Sequence, residues 1–342
     1  MGIQGFARVV GAVVVGGALG LGAGAGDAGA ASSEEEPSAF TLEDPRITES
    51  SGLAASRAHP GVYWTHNDSD DGPYVYAVDG GTGRTVATVT LQGVAPRDVE
   101  AVSVGPDGDV FVGDIGDNLG GGWSEVWIYR FAEPERLRDT TVTPTRYTVR
   151  YADGPRDAES LMVHPETGRV YLASKSERSA GVYAGPEELT ASGVNEFVRI
   201  ADVDIEATDG AFSPDGSRLV LRSYFGSEMY RWTDEGRPEP VGSVPVSTFG
   251  QGESVTFTRD GDTLMFGSEG SNSRVAPQEL EGEALPESAA AQREKAERSS
   301  DGAPPREGEE GEERDLVVGA IVFAAATVIW LSLRRVFGRR RD

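Results

Sequence analysis

Between residues 49 and 266 the chain repeats one pattern five times: an acidic or polar lead, an apolar strand, a tight turn and a second apolar strand. The leads are Glu49-Ser50-Ser51-Gly52, Asp98-Val99-Glu100-Ala101, Asp157-Ala158-Glu159-Ser160, Asp209-Gly210-Ala211-Phe212 and Gly252-Glu253-Ser254-Val255. The second strands run through Tyr63-Trp64-Thr65, Phe111-Val112-Gly113, Tyr171-Leu172-Ala173, Leu219-Val220-Leu221 and Leu264-Met265-Phe266. Asp107-Gly108, Asp215-Gly216 and Asp260-Gly261 supply the hairpin turns in three copies, a pair favoured where both central residues need positive φ. A spacing of about 44–59 residues matches one four-stranded propeller blade. The expected fold is therefore all-β: a β-propeller over 38–280 with five blades, or six if one gap hides an irregular blade. Ala39-Phe40-Thr41-Leu42 would close the last blade. A β-sandwich would not require a recurring lead.

The ends read differently. Residues 1–30 carry one early charge, Arg8, then a weakly apolar Val/Gly/Ala run and Ala28-Gly29-Ala30, the form of a cleavable signal peptide. An acidic linker, 31–37, follows. Residues 281–315 are rich in Glu, Ala, Pro, Gly and Ser and almost without large apolar side chains, so a disordered stalk is expected. Residues 316–336 are long and apolar enough for a transmembrane helix. The tail 337–342 is basic and the stalk acidic, so the positive-inside rule puts the C-terminus in the cytoplasm and the propeller outside a cell membrane crossed once. No Leu-Pro-x-Thr-Gly site precedes the apolar run, which excludes wall sorting.

A formal charge of −25 disfavours nucleic acid as a partner and favours cations. With no cysteine the chain has no disulfide, thiolate metal site or cysteine nucleophile. Lys175 and Lys295 are its only lysines among 31 basic residues, and Ala, Gly, Val and Asp are abundant, a composition suited to a high-GC genome.

In a propeller the start of each inner strand and the end of the second share one face. That geometry gathers Glu49, Asn67, Asp68, Asp209, Glu253 and Glu269 as a binding face. It also offers Glu100, Glu159, Lys175 and Arg222 as candidates for proton transfer and anion contact. Asp114, Asp117 and Asn118, on the glycine-flexed Gly113–Asn118 segment, join Glu100 as expected metal ligands. An all-oxygen set suits Ca²⁺ or Mg²⁺ and argues against zinc. The bland alternative for that loop is an Asp/Asn turn bonding its own backbone, and for the leads, carboxylates that stitch neighbouring blades together. No Gly-x-Ser-x-Gly elbow occurs, which argues against a serine hydrolase. Trp64, Tyr76, Trp127, Tyr129 and Trp232 lie in strands and are expected in the inter-blade core.

Ala211-Phe212-Ser213-Pro214-Asp215-Gly216 resembles the repeat of WD-repeat-like bacterial propellers. Glu49-Ser50-Ser51-Gly52-Leu53, His66-Asn67-Asp68 and Gly113-Asp114-Ile115-Gly116-Asp117-Asn118 resemble a family of exported actinobacterial propeller proteins. That resemblance implies a fold and an extracellular address rather than an activity. The family's second lead reads Asp-Trp-Glu-Asp, whereas here Asp98-Val99-Glu100-Ala101 lacks the tryptophan and one carboxylate. More remotely the chain is similar to calcium-dependent propeller phytases and phytase-like esterases, without their motifs. The expectation is a membrane-anchored module that binds or senses an envelope ligand or protein, with Ca²⁺ as its cofactor. The alternative is a Ca²⁺-dependent phosphate- or carboxyl-ester hydrolase.

Overall fold

The computed structural model describes residues 37–301 apart from 69–70, 177 and 247–249. The expected signal peptide, most of the acidic linker, the transmembrane helix and the basic tail lie outside the described residues. Among those described, no helix is long and apolar enough to cross a membrane.

The fold is all-β, as the repeat requires. Five antiparallel four-stranded repeats follow one another over 50–91, 99–151, 158–202, 209–244 and 252–279. The fifth is completed from the other end of the chain, where Phe40 and Thr41 pair with Val275 and Arg274. Phe40 also stacks on Tyr63 of the first repeat at 5.5 Å, so closure is apolar as well as hydrogen-bonded. Parallel pairing of Thr145–Tyr151 with Val194–Asp202 fuses the outer edges of repeats two and three into one eight-stranded sheet.

Each repeat starts with its innermost strand: Ser50–Ala55, Val99–Val104, Ala158–Val163, Asp209–Phe212 and Gly252–Phe257. These five strands touch in a cycle, first to second and on round to fifth and first, giving a propeller-like arrangement. Between neighbouring repeats lie layers of fully buried side chains. One joins Trp64 of the first repeat to Val102, Val110, Tyr129 and Phe131 of the second. Tyr76 is buried as expected, while Trp127 is half-buried beneath the Arg97 guanidinium, 3.6 Å from its ring centre. Trp232 packs edge-on against Tyr171 and Phe212.

The first part of the expected disordered stalk is ordered, and the rest of it, 302–315, lies outside the described residues. Residues 281–301 form a 3₁₀ turn, Gly282–Ala284, and a helix, Glu287–Asp301, docked on the fourth repeat. Leu280, Leu285 and Ala289 enter the core with Val220, Phe257 and Leu264. The first helical amides, whose partners cannot come from within a helix, are met by the fourth turn: Glu287 N donates to Ser217 Oγ and Ser288 N to Asp215 Oδ2. Burial alone would raise the Asp215 carboxyl, but hydrogen bonds from Ser213, Ser288 and Ser217 hold it at about 2. Truncating Leu285→Ala should therefore lower stability by about 2–3 kcal/mol in urea denaturation; a disordered stalk would give no change.

Candidate functional site: an acidic channel mouth

The inner strands do not pair regularly at their acidic ends. In four repeats the register with the second strand shifts at the lead: between Ser50 and Leu53, Val99 and Ala101, Ala158 and Ser160, and Gly252 and Val255. Only the fourth lead, Asp209–Phe212, pairs without a shift. A bulge leaves its extra residue unpaired and re-aims the side chain. The unpaired residues include Glu100, Glu159 and Glu253, with Ser51 at the equivalent place in repeat one; in repeat four that place falls to Thr208, just before the paired segment.

This register corrects two expected site residues. Counted from the turn, Asp209 pairs with Arg222 as Ala101 pairs with Gly113, so it sits one place after the glutamate position, which Thr208 fills. It is wholly buried and accepts Gly210 N and Val255 N, stitching repeat four to repeat five instead of facing the mouth. Arg222 is likewise 1% exposed, donates to Ser254 O at 3.0 Å and lies over the Phe266 ring. Burial brings its guanidinium down to about 10. It is a wall residue, not an anion contact. Glu49 aligns with Asp98 and is exposed on the rim. Asn67 is also structural: its Oδ1 accepts Thr48 N and Glu49 N, and its Nδ2 donates to Arg46 O and Asp71.

The expected metal loop divides in the same way. Asp114 is 0% exposed, and its carboxylate accepts Asp98 N at 2.9 Å, Arg97 N and the Tyr129 hydroxyl. Those bonds fix the second lead and turn Asp114 away from the mouth. Asp117 is equally buried, with Oδ2 capping Trp123 N at 2.6 Å. Asn118 stays near the mouth and donates to Asp98 Oδ2 at 3.3 Å.

The carboxylates that do converge are Asp68, Asp98 and Glu100, each offering an oxygen within 4.8 Å of the others. Oxygens bound to one Ca²⁺ at about 2.3–2.6 Å can lie no farther apart than roughly 5 Å, so this spacing fits a single ion. Glu100 is 2% exposed; its Oε2 accepts the Ser51 hydroxyl at 3.2 Å, while its buried Oε1 has no hydrogen-bond partner among the described residues. Gly116 passes so close that a Cβ there would stand 2.6 Å from Asp98 Oδ2 and 2.7 Å from Glu100 Oε1. Beside the cluster a crevice of about 20 Å³, lined by Asp68, Asp71, Arg97 and Asp98, has room for one water or ion.

Charge is expensive here. Burial, then the carboxylates of Glu159, Asp68 and Asp98, pushes Glu100 well above its usual range. Burial and then Asp68 bring Asp98 up to about 6. Farther round the mouth Lys175 Nζ donates to Glu159 Oε1 and to the Tyr224 hydroxyl, both at 2.5 Å. Burial would lower Lys175, but Glu159 outweighs it and keeps the ammonium charged. Glu269 is half-buried and is raised by burial and then by Asp68 and Glu49. His66 is buried with Nδ1 on Asn67 O, and His164 packs on Phe212 in the opposite-face turn.

Neither a protein-family model nor a curated protein matches the chain. Among solved structures it is similar to the structure of U3-55K at 14% identity, covering 67% of this chain and 68% of that one, with a TM-score of 0.37. It is also similar to Kuenenia stuttgartiensis hydrazine synthase at 11% identity, covering 64% of this chain and 61% of that one, again with a TM-score of 0.37. The chain thus spans less than two thirds of the hydrazine synthase chain.

Two outcomes follow from the geometry. Asp114→Ala strands two backbone amides and a tyrosine hydroxyl and should cost about 2–3 kcal/mol in denaturant unfolding; no loss would return Asp114 to the mouth. Glu253, raised by burial to about 7 from 4.5, holds its proton more tightly folded than unfolded. Its share of stability is present below about pH 4.5 and is lost as pH rises through 7, roughly 3 kcal/mol at most. Glu253→Gln should accordingly flatten the fall in melting temperature between pH 5 and 8, and an unchanged pH profile would contradict the shift.

Proposed function

We propose that this chain is a five-bladed, WD-repeat-like β-propeller anchored outside a cell membrane by 316–336, and that its acidic mouth binds a Ca²⁺-class cation and, through it, an envelope ligand. The observation that carries the reading is the convergence of Asp68, Asp98 and Glu100 on a point where a buried carboxylate oxygen lacks a partner. Three like charges so close disfavour ionisation, and a divalent cation offsets most of that repulsion. Because the ion would lie at an open mouth, coordination positions left by the protein can be filled by oxygens of a ligand. Five inner strands touching in a cycle and the closing strand Phe40–Thr41 support the blade number.

The hydrolase reading draws on the neighbouring Glu159–Lys175–Tyr224 chain, which could supply a base and an ammonium for an anionic group. It requires Glu159 to exchange its ion pair for a water. Turnover of p-nitrophenyl phosphate or butyrate by the full-length chain, dependent on calcium and lost in Glu159→Gln, would favour hydrolysis over binding.

For the cation itself, calcium at ten times Kd should add about 1.4 kcal/mol and raise the melting temperature by roughly 3–6 °C. Asp68→Asn with Asp98→Asn should remove that increment. Gly116→Ala should also remove it by occupying the space while sparing every carboxylate. Asp114→Asn should retain it. An increment that survives in the Asp68/Asp98 pair variant would refute the assignment.

A further inference from the structure

The opposite mouth of the same ring is built from the turns that end the inner strands. Their equivalence is fixed by one hydrogen bond repeated five times across each turn: Ser56 N to Val62 O, Gly105 N to Asp109 O, His164 N to Arg169 O, Ser213 N to Arg218 O and Thr258 N to Thr263 O. The next residue is Pro106, Pro165 and Pro214 in repeats two, three and four, but Arg57 and Arg259 in repeats one and five. Those two repeats are neighbours, joined by Ala55 N donating to Thr256 Oγ1 at 3.3 Å. The repeat thus departs from proline at two adjacent places and puts two guanidiniums on one side of the mouth.

Both line a cavity of about 360 Å³, which also takes in Ser56, Ser103, Phe212 and Thr258 and has no aspartate or glutamate in its wall. That is unusual in a chain with 56 acidic and 31 basic residues. Among the described residues neither arginine forms an ion pair with a carboxylate; Arg57 makes one long contact, to Pro106 O at 3.4 Å. The carboxylates nearby are committed elsewhere. Glu133 accepts Trp64 Nε1 and Ala58 N, Asp107 faces Arg130, and Asp260 accepts the Thr258 hydroxyl. Burial and then the charge of Arg259 lower Arg57, so the two guanidiniums feel each other. The Glu133 charge opposes that lowering by less than Arg259 contributes to it, so the two adjacent like charges stay only partly offset and disfavour one another, and a guanidinium pair matches the oxygens of a phosphate group bidentately.

We propose that this mouth is a second binding site, in which Arg57 and Arg259 hold the phosphate group of a small phosphomonoester. The cavity is in the size range of small-molecule pockets and much larger than phosphate alone. Its remaining wall, including Leu53, Val104 and Phe212, suits an apolar body attached to that group.

Isothermal titration of the purified full-length chain with phenyl phosphate, in calcium-free buffer at constant ionic strength, tests this. One site per chain is expected, with inorganic phosphate binding more weakly because it leaves the apolar wall unused. Arg259→Gln, on an exposed turn, should weaken binding at least tenfold, and Arg57→Gln with Arg259→Gln should abolish it. Melting temperatures in chloride would verify that both variants fold. Absence of binding by the wild type, or affinity unchanged in the folded double variant, would overturn the proposal. Binding that appears only with calcium and survives the double variant would assign the phosphate to the acidic mouth and overturn it equally.

Discussion

The bulge at the head of the inner strands is the constraint on which the site depends. A regular antiparallel pair would send alternate side chains of the lead into the two walls, as happens to Asp209 in the fourth repeat, where the carboxylate is consumed by Gly210 and Val255 amides. Where the glutamate itself escapes the ladder, its side chain is freed from that alternation. Glu100 and Glu159 arise in this way, each flanked two residues earlier by Asp98 or Asp157. The second lead is then held rigidly from behind, because Asp114 grips the Arg97 and Asp98 amides and Tyr129 braces Asp114. Asp114 serves the mouth from the wall: it positions Asp98 without joining it.

One short strand therefore separates two chemically opposite ends. Its start carries the carboxylates and its far end the proline or arginine turn, about 20 Å away for six residues at strand rise. Buried carboxylates at the first end are raised together, and Lys175 pairs directly with Glu159 while its charge partly relieves Asp157, Glu253 and Glu269. At the second end two arginines stand in a wall without acids. A ring that presents an acidic mouth to one side and a basic one to the other can take ligands of opposite charge at once, and the acidic composition of the whole chain conceals the second.

Much of the fold was legible because the hydrophobic alternation and the turn pairs recur at blade spacing. The site was legible only to within one residue. The lead pattern sets Glu49 and Asp209 beside Glu100, but a bulge consumes a residue without leaving any composition signal, and the true equivalents are Ser51 and Thr208. Gly113–Asn118 looked like a cation loop for its density of oxygens. Whether such oxygens face a mouth or their own backbone depends on the fold of the lead they brace. The i and i+2 spacing of Asp98 and Glu100 was the available clue to the group that converges. The helix Glu287–Asp301 escaped notice since it has no apolar stripe; it is fastened by Asp215, Ser217 and Arg218 and by only a few buried side chains.

The central claim is the position of a cation, and diffraction answers it directly. Crystals of the protein grown in millimolar calcium, measured at a long wavelength, should give one anomalous peak about 2.3–2.6 Å from carboxylate oxygens of Asp68, Asp98 and Glu100. No peak there, or a peak on Asp114 and Asp117 instead, would contradict the account.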